Sequence, residues 1–172
     1  NTDGSPVLVG GQPVPTYSQA TVTGFAAVFT GWNWNNTGCG PTTYVCCDEN
    51  NYSNCGRYDH NIPSWKLPMQ PVEAFHDSTS NKQLLDYPGV DLSGGVLPAG
   101  GNATAELNLA LDNIFEHPNV GPFIARRLIQ RLVTSNPSAA YIQRVASAFN
   151  NNGSGVRGDL KAVLRAILLD SE

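Results

Sequence analysis

Apolar residues recur at helical spacing near the start of the chain and again over its final stretch, and the tract between them has no sustained period of 2 or 3.6. Val22, Phe25, Ala26 and Phe29 fall at i, i+3, i+4 and i+7, which predicts a helix over 16–30. Thr16 with Gln19 three places on predicts a capping box at its start, and Gly31 ends it. Further on, Leu107, Ala110, Leu111 and Ile114 make a stripe on a helix capped by Asn102 or Thr104, with Glu106 favoured near the positive helix end. Pro118 stops that helix, and Pro122 fits the first turn of the next. There Ile124, Ala125, Leu128, Ile129, Leu132 and Val133 cover one half, while Arg126, Arg127, Gln130, Arg131 and Thr134 cover the other. Asn136-Pro137 opens a helix through Tyr141, Val145, Ala148 and Phe149, and Asp159 opens one through Leu160, Val163, Leu164, Ile167 and Leu168.

Each such helix needs a partner for its apolar face, and short connections make consecutive helices neighbours. The fold class expected is therefore all-α: a helical bundle interrupted by a long irregular loop insertion. Residues 1–31 read as a loop plus the first helix, 32–101 as a Cys- and Trp-rich irregular segment, and 102–172 as the helical core. The whole is one domain or the C-terminal portion of a larger one.

Composition narrows the function classes. With 41% hydrophobic and 14% charged residues, the chain is globular, with a polar but uncharged surface. A net charge of -4 argues against a general affinity for nucleic acid, and no apolar run is long enough to span a bilayer. Residues 1–56 hold no Lys or Arg, whereas seven of the ten basic residues lie between Arg126 and Arg165. In an acidic protein such a basic layer chiefly pairs with carboxylates of the same fold. The arginine face of Arg126, Arg127 and Arg131 can also grip sulfate or carboxylate groups. The first residue is Asn1 rather than Met, as expected of a processed or excised piece of a longer protein.

Three stretches carry a family resemblance: YSQATVTGFAAVFTGWNW from Tyr17, the segment Phe75-His76-Asp77 with Lys82 and Leu84-Leu85, and above all the run from His117 to Asp170. Together they resemble the bacterial family called domain of unknown function 1800. The resemblance implies an exported, mainly helical protein more than twice this length, hence a periplasmic, cell-surface or secreted location. It also implies an N-terminal half of the same protein as the natural partner. Many members place an Arg where this chain has Ala27, so any charge network built on that Arg is altered here. The family's activity is not established, and the cofactor and any metal stay unassigned, a metal shared by His76 and Asp77 being one option.

Four cysteines stand as C-x6-C-C-x7-C at Cys39, Cys46, Cys47 and Cys55, which is not the paired spacing of a structural zinc site. In an exported protein they read as two disulfides. A bond between the adjacent Cys46 and Cys47 would be strained, leaving Cys39–Cys46 with Cys47–Cys55, or Cys39–Cys47 with Cys46–Cys55. Asp48, Asn50 and Asp59 suggest a calcium loop only faintly, since Tyr52 and Ser53 occupy positions where an EF-hand needs a ligand and a glycine.

Candidate chemistry rests on few residues. The histidines are His60, His76 and His117. His76 beside Asp77 is a catalytic candidate, although adjacent side chains usually point apart. His117 is a third, set against a structural role in which its imidazole bonds the last helical carbonyls and its cation is favoured by the helix dipole. Trp32, Trp34, Tyr44, Tyr52, Tyr58 and Trp65 alternate with asparagines, a combination of flat apolar faces and amides that suits sugar rings. Against this, Trp32 can close the first helix onto the core. No nucleophile elbow, His-Glu-x-x-His or phosphate loop is present. Two functions remain open: an exported hydrolase acting on polysaccharide, with His76, Asp77 and His117 at its site, and a non-catalytic module for glycan binding or cell-surface assembly.

Overall fold

The computed structural model describes residues 5–33 and 68–172. In chain order the elements begin with strands β1 (Leu8–Val9) and β2 (Gln12–Pro13), helix α1 (Gln19–Val28) and strand β3 (Trp32–Asn33). Strands β4 (Gln70–Pro71), β5 (Lys82–Gln83) and β6 (Val96–Leu97) follow. Four helices complete the described chain: α2 (Ala103–Phe115), α3 (Val120–Leu132), α4 (Ala139–Asn150) and α5 (Leu160–Leu168). The protein is mostly helical, as the periodicity requires, and the strands among the described residues are two-residue pairs. The expected disulfides of Cys39, Cys46, Cys47 and Cys55 lie outside the described residues, as do Trp34, Tyr44, Tyr52, Tyr58, Trp65, His60 and the calcium-loop positions. The chain forms two compact units, one of Tyr17–Asn113 and one of Asn1–Thr16 with Ile114–Glu172.

In the unit of Tyr17–Asn113, α1 starts two residues later than its sequence predicts. Ser18, in extended conformation, is the cap: its Oγ accepts the Thr21 N–H at 3.4 Å, and Thr21 Oγ1 accepts the Ser18 N–H at 3.4 Å. Ser-x-x-Thr satisfies the same two orphan amides as Thr-x-x-Gln, and the extended backbone at Ser18 selects it. The helix is also rotated from the expected face. It buries Thr21, Gly24 and Val28, while Val22 and Phe29 are about half exposed. Gly24 explains the rotation, because a Cβ there would stand 2.0 Å from the Gln83 carbonyl oxygen. Helix and β5 therefore meet backbone to backbone.

β5 pairs antiparallel with β6, Lys82 opposite Leu97, and β3 with β4, Trp32 opposite Pro71. The apolar core of this unit is Val28, Leu84, Leu97 and Ala110, flanked by Phe25 and Leu92. Here α2 departs most from expectation. Its buried positions are Ala103, Glu106, Ala110 and Asn113, whereas Leu111 is 49% and Ile114 40% exposed. The polar members of that face earn burial by specific bonds. Asn113 accepts the Leu85 N–H at 3.0 Å and donates to the Leu85 carbonyl at 2.9 Å, so its amide extends the backbone ladder.

The second unit is a three-helix core in which α4 packs against both α3 and α5. Ala125 and Ile129 from α3, Tyr141, Ile142, Val145, Ala146 and Phe149 from α4, and Val163 and Ile167 from α5 form one cluster. The cap of α4 is Ser138 rather than Asn136, its Oγ accepting the Tyr141 N–H at 3.1 Å. Asp159, where the last helix was expected to open, caps α5, accepting from Lys161 and Ala162. The stripe of α5 is narrower than its leucines suggest: Val163 and Ile167 are buried, but Leu160 is 55% and Leu168 66% exposed. Arg144 closes the C-terminus with two bonds to Asp170, at 2.7 and 2.6 Å.

Candidate functional site

Ionisable side chains converge in the interior of the unit Tyr17–Asn113. Lys82 enters from β5, Glu106 from the first turn of α2, and His76 from the residue after the short turn Glu73–Phe75. His76 Nε2 lies 3.0 Å and Lys82 Nζ 2.9 Å from the same oxygen, Glu106 Oε2. Their side chains are 0% (His76), 0% (Lys82) and 1% (Glu106) exposed. Lys82 donates a further bond to the Ser80 carbonyl at 3.3 Å. A charge in a dry interior survives only when paired, so the carboxylate and the ammonium are each a condition for the other's burial.

The second nitrogen of His76 is equally engaged. Nδ1 lies 3.1 Å from the Thr30 carbonyl, just past the end of α1. Thr30 Oγ1 is 3.4 Å away, but its one proton goes to the Ala27 carbonyl at 2.6 Å, and it accepts the Asp77 N–H at 2.8 Å. Nδ1 thus meets acceptors only and carries a proton. Ala27 contributes a backbone carbonyl to the shell behind the histidine.

Glu106 Oε1 has no hydrogen-bond partner among the described residues. Gly101 closes over it: a Cβ there would stand 2.7 Å from both Glu106 Cγ and Oε1. The N-terminus of α2 needs no help from Glu106, because Glu73 Oε2 accepts the Ala103 N–H at 3.1 Å and Asn102 Oδ1 the Ala105 N–H at 2.9 Å. Glu106 therefore works as a buried counter-ion and not as the surface dipole partner its position in the sequence suggests.

Asp77 does not join its neighbour. Its Oδ1 accepts the backbone N–H groups of Thr79 and Ser80, both at 3.1 Å, and the Thr79 hydroxyl at 3.1 Å, while Oδ2 takes the Ser80 hydroxyl. The Ser80 hydroxyl above all, then the Thr79 amide, holds this carboxyl down to about 2. Asp77 shapes its own turn.

His117 belongs to the other unit. Its Nδ1 accepts the Asn119 N–H at 3.1 Å. The carbonyls it was expected to cap are taken by Arg157, which donates to the Phe115 oxygen at 3.0 and 3.2 Å and to the His117 oxygen at 3.1 Å. Burial, and then the Arg157 charge, push the imidazole below its usual value of 6.5, so the expected stabilised cation is replaced by a neutral acceptor. Trp32, half-buried in β3, has an indole N–H with no partner among the described residues. Arg127 lies over the Phe123 ring at 5.5 Å, and the arginine face of α3 is exposed.

Of the sequence-predicted site residues, the structure thus engages His76 in an ion cluster and leaves Asp77 and His117 in separate local roles. Glu106 and Lys82 had no assigned chemistry in the sequence. The one signal was for Lys82, which stands in the His76-Asp77 segment and is the only cation between residues 67 and 125. Among the described residues, no group of three or more His, Cys, Asp or Glu is placed to hold a metal ion, and no helix is long and apolar enough to cross a membrane.

Neither a curated protein nor a solved structure matches the chain. The family described as Protein of unknown function (DUF1800) matches it over residues 7–172, from the hairpin to the last residue, so the chain is a member of that family.

Proposed function

We propose that this chain is the C-terminal helical portion of an exported bacterial protein, and that it acts there as a non-catalytic module for cell-surface assembly. The observation that carries this reading is that both ring nitrogens of His76 are committed to protein partners. A general base needs a nitrogen within reach of the proton it takes, and His76 offers none. Asp77 is likewise spent on its turn. Apolar side chains left on the outside, among them Val9 at 71%, Leu168 at 66% and Leu169 at 73% exposure, supply surface for a protein partner, the N-terminal half of the same protein first.

A second reading, a hydrolase acting on polysaccharide, is favoured by the unpartnered Glu106 Oε1, since buried ionisable groups with unused capacity concentrate at working sites. One experiment separates the two. The chain and its His76→Gln and Asp77→Asn variants are assayed for reducing-end release from a panel of polysaccharides, with melting temperature followed in parallel. The assembly reading expects no turnover and a lower Tm for His76→Gln. Turnover that His76→Gln abolishes at unchanged Tm establishes the hydrolase instead.

A further inference from the structure

We propose that the exposed face of α3 is a docking site for a carboxylate-bearing segment of a protein partner. Between Ile114 and Glu172 the chain carries seven cations and four carboxylates. Each of the four carboxylates is engaged. Glu116 faces Arg157 at 3.5 Å, and Asp170 holds Arg144 through two bonds. Glu172 accepts the Ser138 N–H at 2.9 Å and the Ser138 hydroxyl. Asp159 caps α5 and accepts from Asn152 at 2.8 Å. Arg127 and Arg131 are both exposed and form no ion pair among the described residues. The carboxylates that the sequence leads one to expect for this basic layer are thus taken by other groups of the same unit.

The two arginines stand at i and i+4, a spacing at which like charges destabilise a helix. Arg131 lies in the last turn, where the negative helix end offsets its cost. Arg127 has no such offset and instead lies over the Phe123 ring, 5.5 Å from its centre. Phe123, four residues earlier, is 54% exposed, and Leu132 beside the end of the stripe is 53% exposed. One side of α3 therefore presents a ring, two guanidinium groups and an aliphatic side chain in succession. A guanidinium meets a carboxylate through two parallel bonds, and the ring and the leucine offer apolar surface beside it. An acidic protein segment brings carboxylates and apolar side chains together, which a sugar polymer does not. An extended anionic surface would also meet the net charge of -4, whereas a short segment feels only charges within about 8–10 Å. This surface gives the assembly reading its partner chemistry and rests on that reading.

The test measures binding of the full chain to a random copolymer of glutamate and tyrosine, with polygalacturonate and phosphatidylglycerol vesicles as rival probes. The double variant Arg127→Gln/Arg131→Gln is compared with Lys161→Gln/Arg165→Gln, which removes the same charge from α5 of the same unit. The copolymer binds the wild type, and the α3 variant binds it about tenfold more weakly at unchanged Tm, as two exposed ion pairs give. The α5 variant stays within about twofold of the wild type, because its charges are not those the segment meets. Equal losses in the two variants overturn the proposal, since net charge alone then governs binding. So does an absence of copolymer binding, or polygalacturonate or the vesicles binding as tightly as the copolymer. These outcomes leave the assembly reading standing. That reading falls separately, on polysaccharide turnover that His76→Gln abolishes.

Discussion

Replacing Glu106 by Gln keeps the shape of the side chain and removes only its charge, so it isolates what the carboxylate does for the cluster. Lys82 and His76 both bear on Oε2, at 2.9 and 3.0 Å, and neither side chain reaches solvent. In Glu106→Gln the ammonium stays buried without a counter-ion, and breaking a buried pair in this one-sided way costs about 3–5 kcal/mol. A domain's whole stability is about 5–15 kcal/mol, so about a fifth or more of it is at stake. With a urea m-value of about 1–3 kcal/mol/M, the unfolding midpoint falls by at least about 1 M. Trp32 lies in β3 of the unit that holds the cluster, so its fluorescence follows that unit. Lys82→Met is the companion change. It leaves Glu106 bonded to His76, and in the double variant the two losses fall short of additivity by about 1–3 kcal/mol. If Glu106→Gln shifts stability by less than about 0.5 kcal/mol, as a surface change does, the cluster is not the dry ion network argued for it. Strict additivity in the double variant would refute the coupling.

Two further outcomes follow from the same geometry. Gly101→Ala places a methyl 2.7 Å from Glu106 Cγ and Oε1, and it should lower stability by about 1–3 kcal/mol, an effect that vanishes in a Glu106→Ala background. At acid pH, Asp170 is held down to about 2, by its bonds to Arg144 first. Its folded value lies below the ordinary 3.8, so its contribution is present above that value and is lost as pH falls from there towards 2. Asp170→Asn should flatten the acid limb of a thermal-denaturation series across that window, and an unchanged limb would show the pairing with Arg144 to be solvent-screened.

Helix existence and type were readable from periodicity alone, because five amphipathic runs have no other way to hide their apolar side chains. Asp159 as the opening of the last helix was readable too, since a carboxylate before an apolar run suits a helix start. The caps of α1 and α4 were not. Each region offers two residues able to satisfy the same amides, and the extended backbone at Ser18 and Ser138 made the choice. The face of α2 was misread for a deeper reason. Sequence periodicity ranks positions by hydrophobicity, so it chose Leu111 and Ile114 over Glu106 and Asn113. Burial of a polar group is decided by whether a partner waits for it, and those partners come from Lys82, His76 and Leu85, more than twenty residues away in the chain. The sequence by itself thus determined a helical member of this family with His76 as a residue of note. Only tertiary contact decided that His76 shares a carboxylate with Lys82, that Asp77 turns away, and that His117 accepts a proton bond instead of carrying a charge. Charge pairing in a low-dielectric interior depends on distances across the fold, and linear order does not encode them.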